Sequence, residues 1–202
     1  MNVEIAIPKK ERWTYADYAD LTPPDTVGFE VIQGELIVAP APKPKHQWVS
    51  GELFSQIRAF VIQHDLGRIF LAPLDVILDA NQPDPVNIVQ PDLFFISKER
   101  LNIVTDTNVK GAPDLMVEIL SDSSTRRDRV QKMNLYAEYG VIDYWIVDTD
   151  AQTLEAFHLS EDVPRLAATH SEGDVFRPEM FKGLDIQLAD VWYLEDQGDL
   201  EK

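Results

Sequence analysis

The sequence contains no cysteine in 202 residues. That excludes disulfides, thiol nucleophiles and thiolate metal sites. It also has no run of the roughly 18–20 apolar residues that a membrane-spanning helix requires. Its start, MNVEIAIPKKERW, has neither the apolar core nor the cleavage pattern of a secretory signal. A cytoplasmic protein with no membrane partner is expected. Positive charge is scarce: 18 Lys and Arg stand against 35 Asp and Glu, for a net charge of −17. Such a surface repels nucleic acid at long range, so any binding to phosphates must concentrate its positive charge or recruit metal ions. What remains is ordinary: 45% hydrophobic and 26% charged residues, enough for one soluble domain with a sizeable core.

The organisation expected is a flexible N-terminal arm over 1–12, a single domain over 13–192 and an acidic tail over 193–202. The acidity thickens toward the end. Residues 185–202 carry Asp185, Asp190, Glu195, Asp196, Asp199 and Glu201 against Lys202 alone. Thr14 predicts the cap of a short helix that Pro23 and Pro24 end. Phe29–Ile32 and Glu35–Val38, joined by Gln33-Gly34, read as a two-residue hairpin. A proline-rich connector, APAPKPK, leads to a helix from His46 to about Asp65, with Gly67 as its stop. Strands are expected over 68–72, 75–78 and 89–97, and antiparallel edge strands over 153–159 and 165–169.

The centre of the chain is 112–148. Leu115–Leu120 is a short apolar run that suits a strand buried on both faces. Ser121–Thr125 is a cluster of helix-capping residues, a helix should follow to about Tyr139, and Gly140 ends it. Asp143–Asp148 reads as a second buried strand. Strand, helix and strand imply parallel pairing.

Each of two central strands holds one acid, Asp92 and Glu118. A buried carboxylate is costly unless paired, protonated or on a metal. Neighbouring strands lie about 4.8 Å apart, so acids level on adjacent strands can share one hard cation. Asp114, on the same strand as Glu118 and about 13 Å from it, is too far for that and reads as a strand-entry residue. Lys132, on the helix after Glu118, is the third member, able to steady a hydroxide or phosphate oxygen. Acid, acid, metal and lysine together suit hydrolysis of a phosphodiester. Arg126, Arg127 and Arg129 are candidate phosphate binders.

Pro91-Asp92, Glu118 and the segment SDSSTRRDRVQKMNLYAEYGVIDYWIVD over 121–148 resemble a large bacterial endonuclease family with the restriction-endonuclease-like fold, long catalogued as a domain of unknown function. The opening FEVIQGELIVAPAP and His46 resemble that family's hairpin and helix. The resemblance spans roughly 12–192. It implies an α/β fold with a mixed central sheet flanked by helices and an N-terminal β-hairpin extension. The superfamily motif is PD-(D/E)xK, and the 26 residues from Asp92 to Glu118 fit its gap. Leu120 stands where the motif has lysine, and Lys132 is the matching position on the next helix. The resemblance implies a nuclease dependent on Mg²⁺, with Mn²⁺ as a substitute. Asp92, Glu118 and the carbonyl of Ile119 would be its ligands and DNA its substrate. A homodimer is expected if two sites pair on a duplex.

Other readings stand beside these. Asp92 after Pro91 suits a turn, Glu118 an ion pair with Arg126 or Arg129 that fixes the fold, and Lys132 a surface pair with Asp128. The arginines suit a solvated helix face, His46 a helix cap, Asp148 a turn, and Tyr144 and Trp145 the core. Together these readings describe a catalytically inactive domain of the same fold, serving as a binding or structural protein.

Overall fold

The computed structural model describes residues 7–21, 27–121, 127–159 and 164–192. The expected tail over 193–202, the first half of the expected arm, and Arg126 lie outside the described residues. In chain order, α1 (Tyr15–Ala19) precedes β1 (Val27–Ile32) and β2 (Glu35–Pro40), and then the long α2 (Pro44–Gln63). β3 (Gly67–Leu71), β4 (Val76–Ile77), β5 (Ile88–Val89), β6 (Leu93–Ser97), β7 (Val109–Lys110) and β8 (Leu115–Ile119) follow. A π-helical stretch, Arg127–Lys132, runs into α3 (Met133–Glu138). Then come β9 (Asp143–Asp148), β10 (Thr153–His158), β11 (Arg165–His170), the small pair β12 (Val175–Phe176) and β13 (Ile186–Gln187), and α4 (Leu188–Val191).

The central sheet has the order β11-β10-β9-β8-β6-β3. Its parallel pair is β8 with β9, in register from Leu115 opposite Asp143 to Ile119 opposite Val147, as the strand–helix–strand pattern predicts. Its other pairings are antiparallel, which makes the sheet mixed. Alternation along each strand divides the core in two. Leu93, Phe95, Leu115, Val117 and Trp145 meet Val49, Leu53, Ile57 and Val61 of α2 on one face. Phe94, Ile96, Met116, Tyr144 and Ile146 meet Leu135 and Tyr136 on the other. Each fully buried aliphatic or aromatic side chain contributes about 1.5–3 kcal/mol.

The hairpin is more than an extension. Gln33 and Gly34 have φ of 53° and 82°, which suits a turn matched to strand twist. β1 then pairs with β5, so β2-β1-β5-β4-β7 form a second, five-stranded sheet. Ile32, Val76, Val89 and Val109 of that sheet pack into the same core as Phe94 and Met116. α1 is closed by the predicted Thr14, which accepts from the Asp17 backbone N–H in a capping box.

Three elements depart from the sequence pattern. The single strand expected over 89–97 is two, β5 in the second sheet and β6 in the first. Pro91 has no N–H to give a ladder and carries the chain from one sheet to the other. The helix before α3 is wound as a π-helix where described, and this turns both Asp128 and Lys132 inward, where they are buried. α2 begins at Pro44 with Lys43 as its N-cap, so His46 is a first-turn residue and not the cap.

Gly67 and Gly140 allow a graded test. Both have positive φ, 151° and 81°. A Cβ at Gly67 would lie 2.1 Å from the Ile96 carbonyl oxygen, whereas one at Gly140 meets nothing within 4 Å. Gly140→Ala should therefore cost about 1 kcal/mol of backbone strain, and Gly67→Ala about 2 kcal/mol or more because the β3–β6 pairing must shift as well. Urea unfolding midpoints of the two variants check the order.

Candidate active site

Strand alternation decides where the acids point. Met116, Glu118 and Leu120 share the β8 face that looks toward the second sheet. Leu93 lies opposite Val117, so Asp92, one residue earlier on the antiparallel partner, falls level with Glu118. The Ile119 N–H donates to Asp92 Oδ2 at 2.7 Å. The two acids chosen from the sequence therefore stand side by side where the two sheets meet.

Lys132 joins them from the helix. Its Nζ donates to Glu118 Oε1 at 2.9 Å and to Glu30 Oε1 at 2.9 Å, and lies 3.8 Å from Asp128 Oδ1. The Tyr136 hydroxyl donates to Glu118 Oε1 at 2.6 Å. The Tyr144 hydroxyl donates to the Asp128 carbonyl at 3.0 Å. Glu30 Oε1 also accepts the Gln90 N–H at 2.9 Å, which ties it to the segment leaving β5. Lys132, expected from the sequence to stand near Glu118, thus reaches it from the helix. Its ammonium links carboxylates from two different sheets, and its relative exposure is only 3%.

Burial sets the electrostatics. Removal from water pushes the Glu118 carboxyl well above the usual range. Lys132 opposes that shift, while Asp128, Asp92 and Glu30 add to it. Burial alone would discharge Lys132, but Glu118, Glu30 and Asp128 hold its ammonium charged above the ordinary lysine value. Tyr136 is lifted by burial and then by Glu118, so it donates a proton and does not lose it. His46 Nε2 lies 3.2 Å from Asp92 Oδ1. Burial lowers the His46 pKa, but Asp92, the Ile119 backbone and Asp128 together leave it raised.

Glu30, His46, Asp92, Glu118, Asp128 and Lys132 line a cavity of about 780 Å³. Asp92, Glu118, Ile119, Lys132 and Arg127 all line it, so the structure gathers five of the candidate residues. Arg127 lies 3.8 Å from Asp128, and its Nε has no hydrogen-bond partner among the described residues. Arg129 pairs with Glu155 of β10 and is not part of the lining. Asp114 accepts from the Ser97 N–H and from Arg100, the structural role its distance from Glu118 implied. Asp148 accepts the N–H groups of Asp150 and Ala151, as a turn former does. Tyr144 and Trp145 are core.

A model of the family described as "Putative restriction endonuclease" matches residues 15–189. The chain belongs to this family. A crystal structure from Anabaena variabilis, titled a "putative nuclease belonging to DUF820", has the same fold. It is 20% identical, with 89% of this chain and 97% of that one covered and a TM-score of 0.69. A search of curated proteins returned no match. The family's description supports a nuclease-like function.

In this restriction-endonuclease family member, sequence reasoning missed Glu30 and Tyr136 and read His46 as a cap. Glu30 carried the same signal as Glu118, a lone acid in the apolar run Phe29–Ile32. Tyr136 carried none, since an aromatic on a helix reads as core. The oxygen donors of Asp92 and Glu118 and the Ile119 carbonyl are of the hard type that Mg²⁺ or Mn²⁺ takes. Around Lys132 the carboxylates outnumber the cations, an imbalance that a divalent ion would relieve. Among the described residues, no three acids or histidines are already gathered as a coordination shell.

Removing Lys132 leaves Glu30 and Glu118 buried against each other. Lys132→Ala should cost about 3–5 kcal/mol, and Tyr136→Phe about 1–2 kcal/mol. Adding Glu30→Gln and Glu118→Gln to Lys132→Ala should recover part of the loss, because neutral amides remove the repulsion. Denaturant unfolding of the single and combined variants measures this coupling.

Proposed function

We propose that the chain is a divalent-cation-dependent nuclease that hydrolyses phosphodiester bonds in DNA. The observation that carries this reading is Lys132 Nζ on Glu118 Oε1 at 2.9 Å, with Asp92 level beside Glu118. This brings acid, acid and lysine to one point although the lysine comes from another element. Asp92, Glu118 and the Ile119 carbonyl would hold Mg²⁺ or Mn²⁺. When bound, the ion supplies Lewis acidity toward the phosphate and lowers the pKa of a water molecule.

The chain's own groups have separate tasks. An ammonium has three N–H donors. Two of those on Lys132 serve Glu118 and Glu30, and the third meets a phosphate oxygen in this reading. Tyr136 fixes the rotamer of Glu118 by donating to Oε1. Glu30, held by the Gln90 N–H, keeps Lys132 aimed at Glu118 instead of at Asp128. His46 faces Asp92 and orients that carboxylate. Arg127 adds positive charge at the rim, and Arg129, paired with Glu155, would act only on a strand running past it. The net charge of −17 favours a second reading, an inactive domain of the same fold that binds a protein partner.

Two measurements separate these readings. In the nuclease reading, saturating Mg²⁺ or Mn²⁺ raises the melting temperature of the wild type, by about 2.7 kcal/mol of stability at 100 times Kd, and does not raise that of Asp92→Ala. Asp92→Ala and Glu118→Ala abolish cleavage while remaining folded. Cleavage retained in both would overturn the proposal.

The pH dependence has a defined sign. Because burial lifts the Glu118 carboxyl while Lys132 opposes that shift, protons compete with an ion for its carboxylate as pH falls. Cation affinity should therefore rise with pH, and calorimetry in buffers of different ionisation enthalpy should detect proton release.

A further inference from the structure

We propose that the outward face of α2 docks a second copy of this chain, in an antiparallel helix pair with its two-fold axis at Ser55. This pairing does not depend on the nuclease reading.

α2 turns one side to the core through Val49, Leu53, Ile57 and Val61. A helix turns by about 100° per residue. On that spacing Trp48, Gly51, Ser55, Ala59 and Ile62 run along the middle of the opposite side, with Glu52 and Arg58 at its two borders. All of these are exposed except Glu52, which is half-buried. Trp48 and Ile62, at the two ends, are 48% and 55% exposed. One exposed apolar side chain is ordinary. A glycine in the middle of a helix is not, because it costs about 1 kcal/mol relative to alanine. A Cβ at Gly51 would meet nothing within 4 Å, so the chain's own packing gives no reason for glycine there. The close approach of a second helix does.

The face is complementary to itself. In an antiparallel pair about Ser55, each position stands level with the one equally far beyond the axis on the other copy. Trp48 then meets the partner's Ile62, apolar against apolar. Gly51 stands level with the partner's Ala59, and with Ser55 they form a row of small residues that suits a short interaxial distance of about 8 Å. Glu52 stands level with the partner's Arg58, and the small row between them lets the two long side chains reach each other. Each match occurs twice. A parallel pair would set Glu52 beside Glu52 and Arg58 beside Arg58 instead. Among the described residues, neither Glu52 nor Arg58 has an ion-pair partner in its own chain. Glu52 and Arg58 also cancel, so the face is neutral in a chain of net charge −17. Two copies can meet there without the like-charge repulsion of an acidic surface.

The same geometry keeps the partner away from the candidate site. His46, whose Nε2 faces Asp92, is two positions from Trp48 and so about 200° round the helix from it. The partner lies on the side of α2 turned away from His46, and the two candidate sites stand at opposite ends of the helix pair.

The test uses the full chain, with sedimentation equilibrium reading mass against concentration. The wild type is expected to associate reversibly to twice its 23.0 kDa. Gly51→Leu has open space in the monomer but stands in the contact. It should leave circular dichroism and the melting of dilute protein no lower than wild type, and weaken association at least about tenfold. Glu52→Arg and Arg58→Glu should each weaken association about tenfold, and the double exchange should restore it. Because the sequence has no cysteine, Ser55→Cys introduces a single thiol at the axis. Oxidised glutathione should convert it to a covalent dimer, while the exposed Gln63→Cys, far from the axis, should not form one. A wild type that stays monomeric at about 100 μM overturns the proposal and leaves the face to a different partner. A dimer that Gly51→Leu does not weaken, that the double exchange does not restore, or that Ser55→Cys does not link overturns it as well.

Discussion

The ammonium of Lys132 and the two carboxylates it joins are the contact on which the arrangement depends. Glu30 and Glu118 belong to different sheets, and both are buried. Two carboxylates so close in a low-dielectric interior repel strongly unless a cation lies between them. Lys132 therefore holds the second sheet against the first. The same bond that stabilises this junction keeps the lysine beside Glu118 and Asp92.

Two local backbone features make the contact possible. Pro91 interrupts what would be one strand, so that Gln90 leaves the second sheet holding Glu30 while Asp92 enters the first sheet beside Glu118. The π-helical winding of Arg127–Lys132 turns Asp128 and Lys132 inward together. Irregular winding of this kind tends to occur where side chains must be aimed at a site. Neither feature adds to the hydrophobic core. Each instead sets the direction of a charged group, and the flanking aliphatic packing of α2 and α3 supplies the stability that lets them persist.

The acidic character of the chain also has a consistent place in this picture. Much of the negative charge lies outside the cavity, while its rim carries Lys43, Lys45 and Arg127. A strongly acidic protein can still act on phosphates when the phosphate contacts are few and enclosed, because low-dielectric walls confine the interaction and solvent screens the distant acids.

The sequence by itself determined the local signals: the Thr14 cap, the Gln33-Gly34 hairpin, the apolar strands β8 and β9 with their parallel crossover, and the lone acids Asp92 and Glu118. These are legible because they depend on period, caps and turn residues within a few positions. Tertiary structure alone decided what met those acids. Glu30 lies 102 positions from Lys132, and no periodicity relates them. Tyr136 differs from an ordinary core aromatic only in where its hydroxyl ends. His46 became a partner of Asp92 because α2 starts two residues earlier than the histidine. Arg129, adjacent in sequence to the site helix's inward face, was taken by Glu155 of β10. A charged side chain goes to whichever counter-charge the packed fold places within about 3 Å, and that distance exists only after the two sheets have closed.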